Sequence, residues 1–252
     1  MISAYTLFSS SSGNCTYVTD GDVSILIDAG MNAKHVGLAL GALGTSFGSV
    51  DAVFITHEHS DHTSALRVLT RKYCPRIHAA EPSALKIPAE HVTAHPVIYT
   101  ERVGGFTVKS FPCSHDSACC VGYVLQHDSG VKITTATDTG YVTDGMKAAL
   151  SGCHAVILES NYDERMLETG PYPHDLKMRI MSDRGHLSNT AAAGFLPYLY
   201  ENGTRRVLLA HISPENNTKQ KALGAALESI CENGLSGMSV DCADRYEITR
   251  LI

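Results

Sequence analysis

The segment Thr56-His57-Glu58-His59-Ser60-Asp61-His62 puts three histidines and two carboxylates into seven residues, directly after the run Asp51–Ile55, an aspartate followed by four apolar residues. Four consecutive apolar residues ahead of a polar cluster read as a strand running out of a core. Burying unpaired polar groups at its end costs several kcal/mol, so the fold must place something there that satisfies them. The segment is not the helical H-E-x-x-H zinc motif, because Asp61 stands four residues after His57. Read as an extended loop, in which alternate residues share a side, it turns His57 and His59 toward one point and Asp61 and His62 toward a neighbouring one. Imidazole nitrogen and carboxylate oxygen both bind zinc or manganese.

Two cations need more ligands than these, and later strand ends supply them. His115 follows the run 106–112, Asp138 follows 131–136, and His211 follows 206–210. Each stands just past an apolar run, where a loop presents a side chain on rigid support. Five histidines (His57, His59, His62, His115, His211) with Asp61 and Asp138 suit a two-metal site with one bridging carboxylate. A solvated turn is the plain alternative for the first segment, and a hydrogen-bonded core histidine is the alternative for His115 or His211 alone. Four ligand-type residues within six positions decide against the first alternative and thereby against the second. His35, His78, His91, His95, His127, His154 and His174 have no such company and read as ordinary histidines.

Around these residues the chain patterns as one α/β domain spanning residues 1–252. Short strands dominate the first half, and strand–helix alternation the second, with helices expected over 63–73, 173–183, 189–201 and 219–232. Strands are expected at 97–101 and 246–251 among others. That order suggests two sheets packed face to face with helices outside. No sequence repeat or low-complexity segment interrupts it.

Hydrophobic residues are 44% of the chain and charged residues 18%, which excludes disorder. The formal net charge of -6 excludes a protein that coats nucleic acid through a generally basic surface, so any nucleic-acid partner must meet a local basic patch or a metal. No apolar run approaches a membrane span, and the N-terminus lacks the basic and apolar regions of a signal peptide. Eight cysteines without C-x-x-C spacing fit a reducing cytoplasm.

The pattern H-x-H-x-D-H, then an isolated His, an Asp and a final His, resembles the metallo-β-lactamase superfamily over nearly the whole chain. The resemblance implies an αββα sandwich with two divalent metals, zinc or manganese, at one edge. It assigns His57, His59 and His115 to one metal, Asp61, His62 and His211 to the other, and Asp138 to the bridge. Asp28, in Leu26-Ile27-Asp28-Ala29-Gly30, is implied as a support behind the ligands. An aspartate rather than a cysteine at 138 favours binuclear hydrolases of phosphodiesters and thioesters. Residues 158–167, 170–189 and 211–217 closely resemble the YycJ/WalJ group of bacterial proteins, which implies a metal-dependent 5′-to-3′ exonuclease acting on DNA. The stretch Gly185–Asn189 is also similar to tRNase Z, where a histidine in this segment serves catalysis.

For phosphodiester hydrolysis, His186 is the expected general acid, since histidine titrates near neutrality. Asp61 joins it at the reacting centre, and Glu159 either orients His186 or bonds backbone amides. Ser188 is the expected N-cap of the next helix, whose N-terminus suits a phosphate. Lys177, Arg179 and Arg184 form the local basic patch that DNA would need. The chain lacks tryptophan and any aromatic-rich stacking platform, which argues against sequence-specific readout. The rivals are a cyclic-nucleotide or cyclic-phosphate phosphodiesterase, a thioester hydrolase, and a metal-binding protein without turnover.

Overall fold

A computed structural model describes residues 1–252. Fourteen strands fall in chain order: β1 (Ser3–Ser10), β2 (Gly13–Thr19), β3 (Ser24–Ile27), β4 (Ala52–Ile55), β5 (Arg76–Ala80), β6 (Val92–His95), β7 (Thr100–Val103), β8 (Phe106–Cys113), β9 (Cys120–His127), β10 (Lys132–Ala136), β11 (Ala155–Glu159), β12 (Arg206–Ala210), β13 (Ser239–Cys242) and β14 (Thr249–Arg250). They form two seven-stranded sheets, ordered β14-β1-β2-β3-β4-β5-β6 and β13-β12-β11-β10-β9-β8-β7. Nine α-helices accompany them: α1 (Ala33–Ala42), α2 (Ser60–Thr63), α3 (Leu66–Lys72), α4 (Glu81–Ala84), α5 (Asp144–Leu150), α6 (Glu164–Thr169), α7 (His174–Met181), α8 (Asn189–Glu201) and α9 (Lys219–Glu232).

Both sheets follow one plan. In each, antiparallel pairing at one side gives way to parallel pairing at the other, through β3-β4-β5-β6 in the first sheet and β10-β11-β12-β13 in the second. The repetition lies in topology, not in sequence. Parallel strands end at the same edge of their sheet, so the loops after β3 and β4, and those after β10, β11 and β12, gather there. β8 joins them because two antiparallel steps, through β9, make it run with β10.

Strands β4, β11 and β12 are buried on both faces, which explains their apolar runs. In β4, Ala52 and Phe54 enter the layer between the sheets, whereas Val53 and Ile55 pack under α1 and α3 with Val36, Leu40, Leu66 and Leu69. In β12, Leu208 and Ala210 face inward, while Val207 and Leu209 meet Leu196, Leu199, Ala222 and Ala226 of α8 and α9. Three apolar layers therefore lie between four layers of secondary structure, and the architecture is the expected αββα sandwich. No helix is long and apolar enough to cross a membrane.

Three expected elements differ. The helix expected over 63–73 is split into α2 and α3, because the Ala65 amide bonds the Ala29 carbonyl and is lost to a helical ladder. The strand expected at 97–101 begins at Thr100, since the Ser110 hydroxyl takes the Tyr99 amide in place of a strand carbonyl. The last strand shrinks to Thr249–Arg250, because Asp244 turns the preceding chain by accepting the Tyr246 and Glu247 amides.

Candidate metal centre

The histidine-rich segment is only half extended. Its second part is the helical turn α2, which carries Asp61 and His62 around to the point that His57 already faces. The expectation of an extended loop throughout is corrected by this turn. His57, His59 and His115 bring one ring nitrogen each to a common point; His57, His62 and Asp138 share a second; Asp138, Glu159, His186 and His211 share a third. Asp138 lies between them, with Oδ2 3.4 Å from His62 Nε2 and Oδ1 3.4 Å from His211 Nδ1. Asp61 Oδ2 is also 3.4 Å from His62 Nε2.

The hydrogen bonds behind the rings show which nitrogen is left for the centre. His62 Nδ1 is 2.8 Å from Asp28 Oδ2, His115 Nδ1 is 3.1 Å from the Gly185 carbonyl, and His211 Nδ1 is 2.7 Å from Glu159 Oε1. Each acceptor places the N–H at Nδ1 and leaves Nε2 without a hydrogen. His57 follows suit, with Nδ1 on the Thr56 hydroxyl and Nε2 3.0 Å from His59 Nδ1. Carboxylates or carbonyls behind ligating imidazoles are the usual support of metal sites. Two buried atoms in the centre, Asp138 Oδ2 and His211 Nε2, have no hydrogen-bond partner. Leaving such groups bare costs roughly 1–3 kcal/mol each, and divalent cations remove that cost. The donor set therefore fits two divalent metals.

Electrostatics agrees. Burial opposes a charge on His62, but Asp28, Asp138 and Asp61 outweigh it and push the imidazole well above its ordinary range. His211 is pushed up to about 9 in the same way, burial being overcome by Asp138 and Glu159. Burial also works against the Asp61 charge, yet His62 and His211 hold that carboxyl below the usual range. Burial, then the neighbouring rings of His62 and His115, keep His57 neutral. Carboxylates that draw protons onto buried rings attract cations by the same field.

The backbone is bent to make this geometry. Five residues other than glycine have positive φ, and three of them, Asp28 (60°), Asp138 (58°) and His211 (56°), belong to the centre. Such conformations persist where surrounding structure over-determines them, and they cluster at functional sites. Gly30 lets the segments meet, since a Cβ there would lie 1.6 Å from the Asp61 carbonyl oxygen.

Glu159 plays both of its expected parts. Oε1 accepts from His186 Nδ1 at 2.8 Å as well as from His211, while Oε2 accepts the Thr139 and Leu187 amides at 2.8 and 3.2 Å. His186 lines a cavity of about 190 Å³ beside the centre, together with Arg179. Arg179 is paired with Asp116, and Arg184 donates to the His115 carbonyl at 3.3 Å. Lys177 and Ser188 do not line the cavity: Lys177 donates to the Glu168 carbonyl, and Ser188 caps α8 by accepting the Ala191 amide.

Several supports were not singled out from the sequence. Asn14 reaches His62 Nε2 at 3.1 Å and Asp61 Oδ2 at 3.4 Å. Glu58 accepts from the Ala118 amide at 2.7 Å and from Ser83 at 2.9 Å, pinning the His57–His62 segment to the His115 loop. The signal for Glu58 lay within the histidine segment itself, whereas Asn14 gave none beyond its Ser/Gly-rich surroundings. His78 and His95, 2.9 Å apart, are bonded to each other.

Residues 24–212 match the beta-lactamase superfamily domain. The chain is 36% identical to exodeoxyribonuclease YycJ of Bacillus anthracis over 90% of its own length and 89% of that protein. The chain belongs to the metallo-β-lactamase superfamily. Exodeoxyribonuclease WalJ of Streptococcus pneumoniae is 33% identical over 93% of this chain and 90% of its own. Among solved structures of the superfamily, the metallo-β-lactamase fold protein YhfI from Bacillus subtilis superposes with a TM-score of 0.72 at 16% identity, covering 99% of this chain and 100% of that one. At that identity the likeness concerns the fold, and it extends the superfamily's sandwich beyond the matched residues to both ends of the chain.

Proposed function

We propose that this protein is a two-metal phosphodiester hydrolase that degrades DNA from the 5′ end. The observation that carries this reading is the gathering of imidazole and carboxylate donors at the strand ends, two clusters of which share Asp138, with Asp138 Oδ2 and His211 Nε2 buried and bare. The YycJ and WalJ relatives, both named exodeoxyribonucleases, supply the substrate class. His57, His59 and His115 are the proposed ligands of one metal, Asp61, His62 and His211 those of the other, and Asp138 bridges. Zinc and manganese both suit these nitrogen and oxygen donors. When bound, the pair supplies an activated water and polarises the phosphoryl oxygens.

The chain's own residues do the rest. With Nδ1–H on Glu159, a protonated His186 carries its second proton at Nε2, for delivery to the leaving oxygen. Arg184 is the proposed contact for a flanking phosphate, a reading supported by its exposure beside the His115 loop. Eight cysteines stand free, in keeping with the reducing cytoplasm in which we place the protein.

The test is incubation of the purified protein and manganese with duplex DNA carrying a 5′-phosphate and a 3′-end label, beside His57→Ala. Shortening from the 5′ end by the wild type alone supports the reading. Intact DNA with metal bound refutes it and directs attention to cyclic phosphodiesters.

A further inference from the structure

Helix α7 is amphipathic yet buries none of its residues in the core. Its apolar stripe goes elsewhere. Leu176 and Ile180, four residues apart on α7, share one side. Both line the cavity that His186 and His211 also line, and so does Tyr172, just ahead of the helix. The cavity thus has two unlike parts. One belongs to the metal centre and is polar. The other is a tyrosine ring and two aliphatic side chains, each half-buried and in contact with no substantial apolar layer of the protein, with the paired Arg179 and Asp116 beside them.

We infer that this aromatic–aliphatic part is the seat of the nucleobase of the terminal nucleotide, the one released by cleavage. The inference rests on the nuclease reading and adds to it. Three observations point the same way. First, the cavity opens directly beside the proposed metal centre, with His186 and His211 both in its lining. In the proposed reaction water attacks phosphorus, the P–O3′ bond of the 5′-terminal nucleotide breaks, and its 3′-oxygen leaves with a proton on the His186 side, so the terminal nucleotide lies there. Second, a nucleotide has a charged end and a flat, weakly polar end, and the cavity offers a polar part and an aromatic–aliphatic part to match. Third, the cavity, about 190 Å³, has room for a single base. Stacking on one tyrosine tolerates every base, because every base has a π-face. The absence of a longer aromatic platform then limits the contact to one nucleotide.

The experiment compares two 5′-phosphorylated, 3′-labelled strands that differ only in the terminal residue, a normal nucleotide or an abasic tetrahydrofuran nucleotide. They are presented to the manganese-loaded wild type, to Tyr172→Ala and to Tyr172→Phe. The wild type should favour the normal strand by about 5- to 100-fold in kcat/KM, the range expected of base–aromatic stacking. Tyr172→Ala should lose most of that preference by slowing on the normal strand alone, with unchanged metal content, and Tyr172→Phe should restore it. A wild type that cleaves both strands equally overturns the inference without any variant. So does a Tyr172→Ala protein that retains the preference, or one equally slowed on both strands. A wild type inert on both strands refutes the nuclease reading itself, and the base seat falls with it.

Discussion

Replacing Glu159 by glutamine tests whether one buried carboxylate sets the state of two imidazoles. The side chain is fully buried and accepts four bonds: His186 Nδ1, His211 Nδ1, and the Thr139 and Leu187 amides. Burial works against its charge, but the two histidines hold it below the ordinary carboxylate range. An amide of the same shape has only one oxygen. If that oxygen stays on the two backbone amides, the NH₂ group faces both Nδ1 atoms. Those rings must then present bare Nδ1 and carry hydrogen at Nε2, the atom with which His211 would hold a cation. If the amide turns over, its NH₂ faces two backbone donors. Each lost bond to a charged group is worth roughly 1.5–3 kcal/mol. Loss of a partner behind a ligand costs about 10- to 100-fold in metal affinity or activity. Because one residue here supports two rings, Glu159→Gln should fall near the upper end, about 100-fold or roughly 2.7 kcal/mol. Metal affinity is read by competition with a chromogenic chelator, and exonuclease rate at saturating manganese. Restored occupancy should still leave the rate reduced, since His186 has lost its orienting partner. Affinity and rate both within threefold of wild type would refute the assignment of tautomers on which the centre is built.

Three other outcomes are expected. Gly30→Ala drives a Cβ into the Asp61 carbonyl, so its melting temperature should fall by several degrees and its metal content with it; a variant as stable and as loaded as wild type would contradict that contact. Arg184→Ala should raise KM for DNA and reduce the slope of log affinity against log salt by about 0.7–0.9, the share of one phosphate contact; an unchanged slope places Arg184 off the DNA path. His78 is buried, and that burial pushes its imidazole down to about 4 despite the opposing charge of Glu101. The unfolded chain, titrating near 6.5, binds more protons below that value, so the stability His78 contributes is complete above about pH 6.5 and is lost as pH falls toward 4. The melting temperature of His78→Phe should therefore depend less steeply on pH across that window, and an equal slope would rule the residue out.

The layered architecture was readable because β4, β11 and β12 are buried on both faces and so appear as continuous apolar runs. The candidate ligands after β4 and β12 stood out for a related reason, since costly side chains follow those runs directly, whereas His115 and Asp138 follow the more polar strands β8 and β10. Helix α7 resisted such reading. Leu176 and Ile180, with Tyr172 just ahead of the helix, look like any core-facing stripe, and only the fold reveals that they line a cavity. Asn14 was hidden because its work is to join segments distant in the chain, and a local pattern carries no trace of partners nearly fifty residues away; Glu58 stood inside the histidine segment, but its partners Ala118 and Ser83 did not show there. The split between α2 and α3 was hidden likewise, since the Ala29 carbonyl that breaks the helix belongs to another loop.

The chain builds its sheets one after the other, and this dictates the order in which the molecule can assemble. Residues up to His95 complete six strands of the first sheet, and those from Thr100 to Cys242 complete the second. His57, His59, Asp61 and His62 belong to the first body, and His115, Asp138 and His211 to the second. Neither half of the newly made chain holds all seven proposed ligands, so capture of the full metal pair would follow the docking of the halves. The last strand, β14, then returns to β1 to pair Thr249 with Thr6, a closure spanning almost the entire polypeptide and hence slow to find. Uptake of the full pair during refolding therefore marks the late, long-range steps, and an early collapsed species would be recognisable by its failure to take up that pair.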